Sequence, residues 1–266
     1  MAAAAPTFAE VTGWIGTFFW PLVRIGAMLL ASPVFGAAQI VPARVRVGLA
    51  LAITLVVVSS LEPAPAMEPL SWQGLATLAS ELVLGLAMGF LLTLAFATLS
   101  IGGQMVAMTT GLGFANFIDP QNGAQTPVVS HLYTILGTLL FLALNGHLVV
   151  IQVVVEGFET LPPGQARLDG EFLIRLALWG SKMFVGALLI ALPAMAAITL
   201  INIAFGIMSR AAPQLNIFSV GFPTTMAAGY LIMFLTLPNL LPRFTAVLME
   251  AFDLMQAFAL GEVAHG

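Results

Sequence analysis

Between Glu81 and Asp119 the chain carries no charged side chain over 37 consecutive residues. About 20 apolar residues are enough to cross the hydrocarbon of a bilayer. A run this long cannot form the wetted surface of a globule. Charged residues make up only 8% of the whole chain, against about 25% in a soluble domain. Twenty charged side chains in 266 residues leave an apolar surface that only lipid or other apolar subunits can cover. In lipid the backbone must satisfy its own polar groups, which leaves helices as the choice for such runs. The expected fold class is therefore an all-α, membrane-embedded protein. A net charge of −4 and the lack of a basic stripe exclude nucleic acid as a partner. With no cysteine there is no disulfide, thiolate metal site or thiol nucleophile.

Charges and helix breakers divide the chain. The first ten residues lack Lys and Arg, so a cleaved secretory signal is not expected, and Ala2–Ala5 reads as a disordered leader. A first apolar segment runs from Val11 to Val34, interrupted by Arg24, before Pro33, Gly36 and Pro42. A second, from Val47 to Leu61, has only fifteen residues, and Glu62–Pro69 is a proline-rich connection. A third helix is expected from Trp72 to about Ile101. Gly102-Gly103, Gly111, Gly113, Asp119-Pro120 and Asn122-Gly123 then predict a long irregular loop reaching Pro127. A fourth segment, Val128 to about Phe158, is notched at Asn145-Gly146-His147 and ended by Leu161-Pro-Pro-Gly164. An amphipathic helix begins near Glu171. Met183–Ser209 follows, with a break expected at Pro193. After a turn at 211–216 come Ile217–Leu241 and a separate terminal helix to about Leu260. Six apolar segments suggest six spans. Lys and Arg then divide four to one side and three to the other, which is no usable positive-inside bias. The segments are therefore not all expected to be ordinary spans.

No catalytic set emerges, and neither enzyme activity nor a cofactor is expected. His131, Ser130 and Asp119 are residue types of a hydrolytic triad, but no nucleophile elbow or oxyanion loop accompanies them. His147 and His265 have no metal-ligand spacing. Helix capping or interhelical hydrogen bonding is the plainer use for the helical histidines. Gly85 and Gly89 stand four apart and could form a close helix-packing face. Met105 and Met108 share a helix face and read as ordinary packing.

Arg24 and Glu81 are the most unusual residues. A charge at the centre of a membrane helix costs roughly 2.5–3.5 kcal/mol on insertion scales. Two readings stay open: interfacial charges near helix ends, or a buried pair or polar path. The polar path would suit a second function class, a proton- or ion-coupled secondary transporter with Pro193 marking a half-helix site. No internal repeat supports it.

Five stretches carry a family resemblance. They are Phe19-Trp-Pro-Leu-Val-Arg24, Val41-Pro-Ala-Arg-Val-Arg-Val-Gly-Leu-Ala50 and Gly111-Leu-Gly-Phe-Ala-Asn-Phe-Ile-Asp-Pro120. Phe141-Leu-Ala-Leu-Asn-Gly-His147 with Thr160-Leu-Pro162, and Ala212-Pro-Gln-Leu-Asn-Ile-Phe-Ser-Val-Gly-Phe-Pro223, complete them. In this order the chain, from about 14 to 255, resembles the FliR family of type III export-gate subunits, in its flagellar branch. The resemblance implies a structural and gating subunit of a helical export-gate assembly in the bacterial inner membrane, at the flagellar basal body. Its implied partners are FliP-like and FliQ-like membrane subunits, an FlhB-like gate component, unfolded flagellar export substrates and membrane lipid. It implies a FliP-like region over 1–180 and a FliQ-like C-terminal hairpin with terminal helix over 181–266. A pore plug would comprise Gly111, Leu112, Gly113, Phe114, Phe117, Ile118 and Asp119. Arg210, Pro213 and Gln214 would lie at the hairpin tip as partner contacts.

Overall fold

The computed structural model describes residues 8–36, 41–61, 71–112, 128–165, 168, 170–211 and 221–261. Among these residues the regular structure is helical throughout: α1 (Phe8–Ala31), the single turn α2 (Pro33–Gly36), α3 (Ala43–Ser60), α4 (Trp72–Thr110), α5 (Val128–Ala143), α6 (Gly146–Thr160), α7 (Gly170–Ala211) and α8 (Phe222–Leu260). All are apolar enough to make lipid or protein their natural surroundings, and the all-α membrane fold class holds.

Three expected boundaries change. Gly102-Gly103 does not stop the third helix, and α4 continues to Thr110, 39 residues in all. A helix interior tolerates glycine at a cost of about 1 kcal/mol, and here both glycines admit neighbours. A Cβ on Gly103 would lie 2.6 Å from Ser130 Cα, and one on Gly102 would lie 3.2 Å from the Ala187 carbonyl. The helix therefore ends at Thr110, beyond the expected stop at Gly102, and 113–127 of the expected loop lie outside the described residues. Pro193 does not break α7, which joins the amphipathic stretch and the apolar run into one helix of 42 residues. Likewise α8 passes through Pro238 and Pro242, and the terminal helix is not separate. Each proline removes one backbone donor, a loss that buried membrane helices accommodate through neighbours and local adjustment.

The six-span count also falls. Three helices, α4, α7 and α8 from Pro223, are long and apolar enough to cross a membrane, or four if α5 and α6 form one broken span. The break is a 62° bend. Asn145 sits at its apex in the left-handed region, φ 56°, a conformation its short polar side chain tolerates. At 1.5 Å per residue α4 is about 58 Å long and α7 about 63 Å, roughly twice the 30 Å hydrocarbon thickness.

The helices gather into two compact units. The first comprises 1–94, 145–179 and 249–266; the second comprises 95–144 and 180–248. In the first, α3 lies against α1, and Trp20, Met28, Leu84, Met88, Leu91 and Phe158 are buried together with Arg24 and Glu81. In the second, Phe96 stands edge-on to Phe141 and Phe244, with ring centres 5.7 and 5.4 Å away. Gly137 lets Leu99 and Phe244 close onto α5. Toward the far end of α7 burial stops, while at the start of α8 Gly221 and Gly229 remain buried, the latter against Thr110. No residue from 199 to 211 is buried, and Leu200, Ile207 and Phe234 are 68%, 65% and 71% exposed.

Candidate functional site

The most polar place in the first unit is also fully enclosed. Arg24 on α1 and Glu81 on α4 are both 0% exposed. Arg24 Nε donates to Glu81 Oε2 at 2.6 Å and Nη2 to Oε1 at 3.0 Å, a two-pronged contact that matches fork to carboxylate. Two further donors reach backbone at the end of α6. Nη1 donates to the Gly157 carbonyl at 3.3 Å and Nη2 to that of Leu161 at 3.1 Å. Below them the guanidinium carbon lies 4.2 Å from the centre of the Phe158 ring. Glu81 Oε1 in turn accepts the Gly164 N–H at 3.4 Å.

Local sequence explains why these groups meet. Leu161-Pro-Pro-Gly164 ends α6 and leaves carbonyls without a following helical donor. The C-terminal end of a helix carries partial negative charge, which favours a cation there. Arg24 supplies it from another helix. On α4 the residues Glu81, Gly85, Gly89 and Thr93 recur every four positions and share one face. A Cβ on Gly85 would collide with the Arg24 carbonyl, and one on Gly89 would lie 2.5 Å from the Met28 carbonyl and 2.6 Å from Ala31 Cβ. Thr93 Oγ1 donates to the Ala31 carbonyl at 2.6 Å. Contacts advance in the same sense on both helices, so α1 and α4 run parallel in a backbone-close seam. The glycine pair is thus the packing face that its spacing allowed.

The same end of α6 receives the chain's C-terminal helix. Thr160 Oγ1 donates to the Ala259 carbonyl at 3.0 Å, and a Cβ on Gly157 would lie 2.9 Å from Ala259 Cβ. Phe172, in the first turn of α7, stacks against Phe258 with centres 4.3 Å apart. Reasoning from side-chain types finds Arg24 and Glu81. It misses the carbonyls of Gly157 and Leu161, Phe158 and the Gly164 N–H, for which the Pro-Pro-Gly terminator is the one available signal.

The remaining candidates are dispersed. Gly111, φ 81°, and Leu112 follow α4 and are half-buried. Gly113, Phe114, Phe117, Ile118 and Asp119 lie outside the described residues, as do Pro213 and Gln214. Arg210 is exposed in the last turn of α7. Ser130 Oγ donates to the Ser100 carbonyl at 2.9 Å, and His131 is exposed on α5. Among the described residues no group of three metal-ligating side chains gathers.

Residues 15–251 match the family described as Bacterial export proteins, family 1. The chain is 36% identical over 249 residues to the flagellar biosynthetic protein FliR of Escherichia coli K12, covering 94% of this chain and 95% of that protein. It is 37% identical over 246 residues to FliR of Pectobacterium carotovorum, covering 92% and 94%. FliR of Bacillus subtilis is 29% identical over 219 residues, 81% of this chain and 84% of that protein. Ion-coupled transport finds no support in these relatives, and neither does an enzymatic role. The chain belongs to the bacterial export protein family 1, the FliR family of flagellar export-apparatus components.

Proposed function

We propose that the chain forms part of the wall of the flagellar protein-export channel in the bacterial inner membrane. It does so beside FliP-like and FliQ-like subunits, with an FlhB-like component at the cytoplasmic side, and unfolded flagellar export substrates pass through the assembly. The observation that carries this reading is the hairpin of α7 and α8. Its far end presents Leu200, Ile203, Ile207, Phe234 and Leu235 without cover, on helices about twice as long as the hydrocarbon is thick. A tilt that hid a rod of about 63 Å in a layer of about 30 Å would exceed the 0–40° range of membrane helices. Lipid alone therefore leaves apolar length uncovered, and neighbouring subunits supply the rest.

In this reading 1–180 is the FliP-like part and 181–266 the FliQ-like part, a division of descent along the chain and not of spatial contact. Arg210, Pro213 and Gln214 at the hairpin tip meet a partner. The segment Gly111–Asp119 seals the idle pore. Support for the seal comes from the family resemblance and from its residues: glycines that permit unusual backbone and Leu112, Phe114, Phe117 and Ile118, whose apolar side chains exclude water from a constriction.

Mild-detergent purification of the tagged chain from its own cells, followed by mass spectrometry, tests the assembly. Two different small membrane proteins are expected with it. A monomer or a small homo-oligomer free of them overturns the proposal. Deletion of Gly111–Asp119 tests the seal separately. The complex is expected to assemble and to leak small ions, and an assembled, ion-tight complex rules the seal out.

A further inference from the structure

We infer that Arg24 is a positioning residue: it caps the end of α6 from outside that helix and so holds the two roots of the α7–α8 hairpin in register for partner subunits. The inference rests on the preceding proposal that the hairpin is the docking element.

Neutralising Glu81 needs only one positive charge. The structure shows more than that. Four Arg24 hydrogen bonds are divided evenly between the Glu81 carboxylate and the carbonyls of Gly157 and Leu161. The second pair joins α1 to the end of α6. Glu81 completes the link by holding the Gly164 N–H in the turn beyond it. The Gly157–Thr160 step is in turn tied to Ala259 at the end of α8, where Gly261, φ 64°, terminates the helix with its α-carbon side toward Leu161. Phe172 at the start of α7 closes on Phe258. The root of α8 therefore meets the end of α6 directly, the root of α7 reaches it through Phe258, and the same helix end takes two hydrogen bonds from one guanidinium.

The chemistry requires arginine at this position and in this orientation. A lysine ammonium is a point charge and cannot fork onto a carboxylate while reaching two carbonyls in other directions. Exchanging the two residues keeps the opposite charges but places a carboxylate against carbonyls at the negative end of α6. If the pair served only to cancel charge, the exchange would be harmless.

The test uses the full chain expressed with its apparatus, comparing wild type, Arg24→Lys, Glu81→Gln and the exchange Arg24→Glu with Glu81→Arg. Two readouts are taken: protease protection of 146–165 and the amount of small membrane subunit that co-purifies. Arg24→Lys and the exchange are expected to stay in the membrane, lose protection, and lose partner by at least about tenfold. Glu81→Gln leaves the Arg24 charge uncompensated and turns an amide NH2 toward one of its donors, so it too is expected to lose protection and partner; the exchange, which keeps both charges, is the deciding variant. Wild-type protection and partner recovery in the exchange overturn the inference. If Arg24→Lys fails to accumulate, Thr160→Val, which removes the hydroxyl's contacts with the Ala259 and Glu156 carbonyls, reads the same protection, and unchanged protection overturns it. Absence of any partner with wild type refutes the preceding proposal, while the protection assay still decides the role of Arg24.

Discussion

The two compact units hold their helices together by different means. The first encloses a charged pair and uses it to fasten helix ends. The second has no Lys, Arg, Asp or Glu among its buried residues and relies on shape: Phe96, Phe141 and Phe244 edge to face, and glycines that admit Ser130, Leu99 or Thr98. Lipid tails are as apolar as leucine, so burying more leucine drives little association between helices in a membrane. What remains is close packing and the pairing of polar groups. The first unit uses both and the second mostly one. Interactions of the first kind fail abruptly when one partner is lost, because a buried charge is left alone. Those of the second kind fail by degrees, in proportion to atoms removed or added.

The comparison is broken most directly at Arg24. Arg24→Leu is expected to cost about 3–5 kcal/mol, since Glu81 stays buried without a counter-charge. Adding Glu81→Leu should recover part of it. Proteolysis rates of the detergent-solubilised chain over this double-mutant cycle measure the coupling, and additive losses would show that contact between the two is immaterial. Next in size is Gly103→Val in the second unit, about 1–3 kcal/mol from overpacking against the Ser130 backbone. Its loss should appear in protection of the α4–α5 pair, with the Arg24 region unaffected. Phe244→Leu removes ring contacts with Phe96 but keeps an apolar filler, and about 1–1.5 kcal/mol is expected in thermal unfolding of the solubilised protein. Smallest is Ser130→Ala, which loses one hydrogen bond to the Ser100 carbonyl, about 0.6 kcal/mol by the membrane average. A loss at Ser130 comparable to that at Arg24 would mean that the second unit also depends on a polar tie.

Helical content is readable from apolar runs because lipid leaves the backbone no other way to satisfy itself. Helix ends are harder. Gly102-Gly103 has the same letters whether it halts a helix or admits a neighbour, and only the position of Ser130 and Ala187 decides. Pro193 and Pro242 mislead for a related reason, since the carbonyl that each leaves without its donor can be satisfied by surroundings that are invisible in one dimension. Opposite charges in apolar helices point to each other, so Arg24 and Glu81 can be paired on paper. The carbonyls of Gly157 and Leu161 cannot, because every residue has one. Only the Pro-Pro-Gly stop hints that the Leu161 carbonyl lacks a helical donor, and the Gly157 carbonyl takes Arg24 in addition to the Leu161 N–H at 3.0 Å. Partner contacts at Arg210 and the part played by Gly111–Asp119 depend on other molecules and on an assembled pore, which no single chain encodes in its own packing.

The parallel seam between α1 and α4 fixes a matter of parity. Chain leaving one end of α1 has to travel back along it before α4 can set out in the same direction. Between them the described helices are the single turn α2 and α3, whose 18 residues reach about 27 Å. Since α3 lies against α1, it supplies that return stroke. The stretch 32–71 can therefore lengthen or shorten in its connections, but it can gain or lose helical strokes only in pairs. An odd change would deliver Glu81 to the wrong end of its partner helix, leaving Arg24 facing a carboxylate that never arrives.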